Sequence, residues 1–435
     1  MSDAANIRVL AIMGSGETSP TMVTVHKTLA ARLGPGRHSA ILLDTPYAFQ
    51  ENASDISART QAYFARSVGL KVTVVSDAGR PAADSPAAAA ALAAIRSSDW
   101  VFAGPGSPSY ALNRWRGGAV AEALRDRIAA GTGLTVIASA AAAATGLVAV
   151  PVYEIYKVGA DPHWLDGLDL FGVLGLKVAV IPHYDNAEGG THDTRFCYLG
   201  ERRLAVLERE LPADAAVLGV DEHTALILDL LAQEAEVVGR GGATIRKAGV
   251  STVLPAGSRM TLADLRLMVR SENTGPAHSV QADQGQAGQG DQQDQPAAAP
   301  SQLGQPLSEV TSDAEGQFEA AVRERDGSTM VSAILDLEAA IEAWSTDTDE
   351  NDNADRARAV LRGLVVRLGR TAEQGLADPA DQLRPAVEPL VALREELRRE
   401  RSFAAADVIR DALTAAGVEL QDSADGTSWA VSSAR

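Results

Sequence analysis

Over its first 270 residues the chain alternates two hydrophobic patterns. Short continuous apolar runs recur at Ile7 to Met13, Ser39 to Leu43, Leu70 to Val75, Trp100 to Ala103, Thr135 to Ala138 and Lys177 to Ile181. Between them lie longer stretches with helical character, such as Pro86 to Arg96 and Val120 to Ala130. Short β-prone runs without polar alternation predict strands buried on both faces. Their alternation with helices predicts βαβ units around a parallel sheet. The runs stop at polar or chain-bending clusters: Gly14-Ser15-Gly16, Asp44-Thr45-Pro46, Gly104-Pro105-Gly106, Ser139 and Pro182-His183. In parallel sheets the loops after the strands hold ligands and catalytic groups, so these clusters are where chemistry is to be sought.

The pattern then changes twice. From 271 to 315 the chain is dominated by Gln, Asp, Gly, Ala, Pro and Ser, as in Gln281 to Gln295, with almost nothing apolar to bury. This predicts a disordered linker. From 316 to 435 apolar residues recur at helical spacing, for instance Leu335, Ala339 and Ile341, or Leu361, Val365 and Leu368. Helices are expected over Glu319 to Arg325, Val331 to Trp344, Ala354 to Gln374, Leu383 to Arg401 and Phe403 to Ala415, a small all-α domain. The expected organisation is therefore an α/β domain over 1–270, a linker over 271–315 and a helical domain over 316–435.

Composition narrows the function classes. The chain is 46% hydrophobic but 4% aromatic, so its core is Ala, Val and Leu packing. One cysteine, Cys197, excludes a disulfide framework and a multi-cysteine zinc site, and fits a reducing compartment. No apolar tract reaches the ~20 residues of a membrane span, and the opening apolar run is short for a signal peptide and lacks a basic lead. The expectation is a cytoplasmic protein without membrane contact. The formal net charge is −18, and no lysine follows Lys247. Bulk electrostatics thus repels nucleic acid, and RNA contact would need a local arginine cluster.

Ser139 is the leading nucleophile. It follows a strand and precedes a small-residue helix start, Ala140 to Ala144, the layout of a strained strand-to-helix turn that exposes a hydroxyl. His183 follows a later strand and is the candidate base; Glu154, in Val152-Tyr153-Glu154-Ile155-Tyr156, is the candidate orienting acid. Backbone amides around Gly104-Pro105-Gly106-Ser107 are candidate oxyanion donors. Arg195 is placed to hold a substrate carboxylate or, on the bland reading, to form a surface ion pair. A metal reading on His183, Asp185, His192 and Asp193 matches no spacing motif. Gly14-Ser15-Gly16-Glu17 lacks a dinucleotide or P-loop signature, and no metal or cofactor is implied.

Two resemblances sharpen this reading. Phe102-Ala103-Gly104-Pro105-Gly106-Ser107 resembles the oxyanion loop of the aspartyl dipeptidase and cyanophycinase serine peptidases. Pro182-His183-Tyr184-Asp185-Asn186-Ala187 resembles the segment carrying their histidine, and Gly219 to Ala225 a downstream segment. The resemblance implies Ser139 as nucleophile, His183 as base, Glu154 as acid and Gly106 as oxyanion donor. Ser107, Arg195 and Glu222 join the substrate-binding set. It implies a three-layer sandwich of the class I glutamine amidotransferase type acting on a peptide or amide bond. The chain departs from the family at Ile137 and Ala141, where the elbow has glycines, and a second register would set Ala140 on the nucleophile.

Leu393 to Leu413, followed by Ala416-Gly417-Val418-Glu419-Leu420-Gln421-Asp422 and Gly426-Thr427-Ser428-Trp429, is similar to the extreme C-terminus of cysteinyl-tRNA synthetases. That likeness implies tRNA as a partner, with Arg394, Arg398 and Arg401 on one helix face and Trp429 available to stack on a base. Residues 316–435 nevertheless hold 14 Arg against 23 Asp and Glu, a net of −9, which keeps a protein-contact module in view. The synthetase ATP signatures are absent from the sequence. The alternative to a serine hydrolase is a non-catalytic tRNA-associated or protein-binding adaptor on a degenerate peptidase scaffold.

Overall fold

The computed structural model describes residues 7–76, 85–189, 192–271, 305–348, 353–374, 379–423 and 426–431. Residues 272–304, most of the expected linker, lie outside the described residues. The described chain forms two compact units. The first comprises residues up to 306 together with 343–348, and the second the remainder.

The first unit is built on an eight-stranded sheet. Its strands are β1 (Arg8–Met13), β2 (Ala40–Leu43), β3 (Val72–Val75), β4 (Trp100–Ala103), β5 (Gly133–Ala138), β10 (Thr224–Asp229), β11 (Glu234–Gly239) and β14 (Arg259–Thr261), in the order β14-β11-β10-β1-β5-β4-β2-β3. β1, β5, β4, β2 and β3 run parallel; β10 joins β1 antiparallel, and β11 and β14 continue antiparallel. Two two-residue strands, β6 (Val148–Ala149) and β7 (Leu165–Asp166), pair with each other. A second sheet combines β8 (Val178–Ile181), β9 (Ala216–Val220), β12 (Gly242–Lys247) and β13 (Val250–Pro255). The run at 177–181 therefore does not join the main sheet, as its apolar pattern suggested; its neighbour is β9, with Ile181 opposite Gly219.

Helices cover both faces of the main sheet: α1 (Val23–Ala31) and α2 (Ala53–Tyr63) on one, and α3 (Pro86–Ser97), α4 (Pro108–Trp115) and α5 (Ala119–Ala130) on the other. Side chains of a strand alternate between the two layers. Val9, Ala11 and Met13 pack with Val25, Leu29 and Tyr63. Leu10 and Ile12 pack with Ile95, Leu112 and Ile128. This is a three-layer α/β sandwich. Three further helices, α6 (Ser139–Ala143), α7 (Gly200–Glu208) and α8 (Leu262–Arg270), complete the unit.

The parallel strands end at one rim, where the loops after β1, β2, β4 and β5 emerge. At Gly14 the chain passes so close to the backbone of Val220 and Asp221 that any Cβ would collide with their carbonyls. That approach brings the β9–β10 connection, residues 221–223, to the same rim. Segment 343–348 also lies on this unit: the Thr348 amide donates to Thr18 Oγ1 (2.9 Å), Arg59 Nη1 donates to the Asp347 carbonyl (3.0 Å), and the Trp344 ring meets His223 edge-on.

The second unit contains α9 (Leu307–Glu324), α10 (Gly327–Ala343), α11 (Asn353–Gln374), α12 (Pro379–Arg399) and α13 (Phe403–Ala415). A hairpin of β15 (Val418–Ser423) and β16 (Gly426–Val431) closes it. α9 begins inside the stretch expected to be linker, because Leu307, Thr311 and Ala314 extend the buried stripe of Phe318 and Ala321 at helical spacing. The hairpin packs Val418, Leu420 and Trp429 against Val387, Val391 and Leu413 of α12 and α13.

Candidate active site

Ser139 is the first residue of α6 and has φ of +47°. A non-glycine residue costs of order 1–3 kcal/mol in this region and is tolerated where surrounding structure enforces it. Here β5 fixes one side of the turn, and on the other the Ala141 amide donates to the Gly104 carbonyl at the end of β4 (3.1 Å). Ile137 and Ala141, the departures from the family elbow, are both buried in the apolar layer. The serine itself carries the left-handed turn.

Ser139 Oγ lies 3.0 Å from His183 Nε2. His183 also has positive φ (+47°), and its carbonyl accepts the Cys197 amide (3.0 Å). Its Nδ1 lies 3.0 Å from Glu222 Oε1. An ionised carboxylate only accepts, so Nδ1 carries the proton and Nε2 is left to accept the Ser139 hydroxyl in the neutral ring. Glu222 Oε1 also accepts from Asn186 Nδ2 (3.0 Å), and its amide donates to Asp185 Oδ1 (2.7 Å). Burial pushes the Glu222 carboxyl up, but the hydrogen bond and charge of His183 and the Asn186 amide outweigh it, and the group is held below its ordinary value.

The residue on His183 is thus Glu222, where the sequence reading placed Glu154. The reason is topological. β10 is antiparallel to β1 and the Gly14 close approach holds residues 221–223 at the rim, which delivers Glu222 to the imidazole. Glu154 begins a short helical turn, Glu154–Val158, and lines a cleft with Phe49, Ser107, Ser109, Tyr110 and Asn113. Glu222, expected in the substrate-binding set, and Asn186, not singled out from sequence, both serve the histidine.

Gly106 has φ of +132°, and a Cβ there would drive into the Pro46 carbonyl. The Ser107 amide donates to that same carbonyl (2.8 Å), while Ser107 Oγ caps α4 by accepting the Tyr110 amide (3.2 Å). Ser107 is therefore a structural cap at the edge of the cleft. Arg195 is closed onto Asp193 by two 2.9 Å hydrogen bonds and lies over the Phe196 ring. The metal reading disperses: His183 faces Ser139 and Glu222, Asp185 takes the Glu222 amide, and Asp193 takes Arg195 and the Glu201 amide. Among the described residues no group of three His, Cys, Asp or Glu is placed to hold a metal ion, and no helix is long and apolar enough to cross a membrane.

With this geometry in place, the chain can be compared with known proteins. Part of it is similar to cysteine–tRNA ligases. That of Proteus mirabilis is 33% identical over 123 residues, 26% of this chain and 26% of the ligase. That of Streptococcus equi subsp. zooepidemicus is 46% identical over 55 residues, 13% and 12% of the two chains. The chain spans about a quarter or less of the length of these relatives. Among solved structures, a peptidase from an acI-B1 actinobacterium aligns with a TM-score of 0.47 at 20% identity, covering 59% of this chain and 97% of that chain. No family model matches.

In the second unit the arginines singled out from sequence have other tasks. Arg394 is buried and bidentate to Asp422 (2.9 Å twice), so it cannot reach a phosphate without opening the packing. Arg398 also donates to Asp422 (2.6 Å), and Arg410 adds a third contact (3.2 Å). The Arg394 hydrogen bonds above all, with those of Thr427 and Arg398, hold the Asp422 carboxyl far below its usual range. Arg401 lies past the end of α12 at φ +61°, exposed, where its amide closes the helix on the Arg398 carbonyl. Trp429 packs against the hairpin core, with Arg384 over its ring.

Proposed function

We propose that the first unit is a serine hydrolase that cleaves a peptide or amide bond, with Ser139 as nucleophile, His183 as general base and Glu222 as the orienting acid. One observation carries the reading: the continuous chain Ser139–His183–Glu222, at 3.0 Å and 3.0 Å, anchored on a serine with left-handed backbone at a strand-to-helix turn. His183 Nε2 takes the hydroxyl proton as Ser139 Oγ attacks the carbonyl carbon, then returns it to the leaving amine. Water repeats the cycle on the acyl-enzyme. Glu222 holds the tautomer and favours the imidazolium. The amides of Ala140, next in the chain, and of Gly106, on the neighbouring strand end, serve as donors to the developing oxyanion. The test is labelling of the full chain with a fluorophosphonate probe. Stoichiometric modification at Ser139, absent in Ser139→Ala, is expected; wild-type protein no more reactive than the variant removes the reading.

The similarity to cysteine–tRNA ligases favours a second role, tRNA contact by the helical unit, and with it the alternative of an adaptor. With Arg394 locked on Asp422, phosphate contacts fall to exposed Arg399 and Arg401. Filter retention of tRNA by the full chain should weaken in Arg399→Glu/Arg401→Glu and fall steeply with salt. An absence of retention at moderate salt excludes the role.

A further inference from the structure

With Glu222 on His183, Glu154 is left without a role, yet its setting is not that of a surface carboxylate. Its Oε2 is shut off from solvent and has no hydrogen-bond partner among the described residues. It lines the cleft with Phe49, Ser107, Ser109, Tyr110 and Asn113, none of which bears a positive charge. The Phe49 and Tyr110 rings lie with centroids 4.9 Å apart. Lys157, one turn along the chain, sits over the Tyr153 ring instead. A carboxylate oxygen that has lost water and gained no donor is costly, and a cation relieves that cost. Aromatic faces beside it attract the same sign of charge.

The position of the cleft assigns the side of the substrate. Ser107 directly follows Gly106, whose amide the hydrolase reading places on the acyl oxygen. The cleft therefore begins beside the acyl carbon, next to where that carbon's substituent lies. We infer that this cleft is a subsite for a cationic group on the acyl side of the scissile bond, with Glu154 as its anionic end. Its assignment to the acyl side rests on the hydrolase reading. Two sources supply such a cation, a Lys or Arg side chain and the free α-ammonium of an N-terminal residue.

The experiment compares kcat/KM of the full chain on four p-nitroanilides: those of arginine, N-acetylarginine, methionine and N-acetylmethionine. If the side chain is the cation, both arginine substrates exceed their methionine counterparts by about 10- to 100-fold, the range of a charged hydrogen bond. If the α-ammonium is the cation, the free amines exceed the acetylated forms by a similar factor. In either case the ratio collapses toward unity in Glu154→Gln and inverts in Glu154→Lys. Equal values across the four substrates, or a ratio that survives both substitutions, overturn the inference. Calorimetric binding of argininamide to the Ser139→Ala chain separates this from the hydrolase reading. Binding that depends on Glu154 in a chain whose wild type turns nothing over keeps the subsite and removes the hydrolase. Turnover without charge preference, and without Glu154-dependent binding, does the reverse.

Discussion

At the scale of single residues, Glu222 and His26 make opposite demands on protons. Glu222 Oε1 accepts from both His183 Nδ1 and Asn186 Nδ2. Glu222→Ala removes that shared acceptor, so neither donor keeps its partner. Nothing then holds the proton on Nδ1 or favours the imidazolium. Turnover should fall about 10³- to 10⁴-fold with little change in fold; a loss under tenfold would show that Glu222 does not set the tautomer. His26 is fully buried among the rings of Tyr63, Phe64, Trp100 and Phe102, with Nε2 donating to the Glu17 carbonyl (2.8 Å). Burial lowers its pKa from 6.5 to about 4. The unfolded chain therefore binds more protons between those values, and stability rises with pH through that window. Acidification from pH 6.5 to 4 should cost about 3 kcal/mol through this group alone. Urea unfolding across that range should show a shallower loss in His26→Gln; an unchanged slope would count against the assignment.

At the scale of elements, the six apolar runs read from the sequence coincide with β1, β2, β3, β4, β5 and β8 to within two residues at either end. They were legible because β-prone runs end sharply at Gly, Pro, Ser or Asp. Helix α13 was legible for a similar reason, closed by Gly417. Ser139 and His183 could be found because each follows such a run. Glu222 could not, because its place depends on β10 returning antiparallel beside β1, a pairing between residues more than 200 apart that no local pattern encodes. The one available signal was the segment Gly219 to Ala225. In the second unit, the roles of Arg394 and Trp429 depended on the hairpin that folds back on α12. Asp422, at the start of that hairpin's turn, gathers Arg394, Arg398, Arg410 and Thr427. Asp422→Ala would strand the buried Arg394 charge, at a cost of about 2–4 kcal/mol after allowing for partial solvent access at the aspartate. Thermal unfolding of the variant should show the drop in the helical unit; an unshifted transition would mean that Arg394 finds another partner.

At the scale of the whole molecule, a long stretch poor in apolar residues separates two folding units with different chemistry. The first unit holds the Ser–His–Glu chain and the cleft of Glu154, and the second holds Arg394, Arg398 and Arg410 committed to its own Asp422. The division does not follow the order of the chain, because residues 343–348 belong with the first unit, where Thr348 bonds to Thr18 and Asp347 to Arg59. During synthesis, Thr348 is made 330 residues after its partner Thr18. At roughly 5–20 residues per second, the interval between residue 271 and residue 348 lasts roughly 4–15 s. Throughout that interval the strands of the α/β unit are already available, yet its rim beside His223 stays open. The last bonds of the first unit form only once part of the second has been made, so a chain truncated within the intervening stretch never closes that rim.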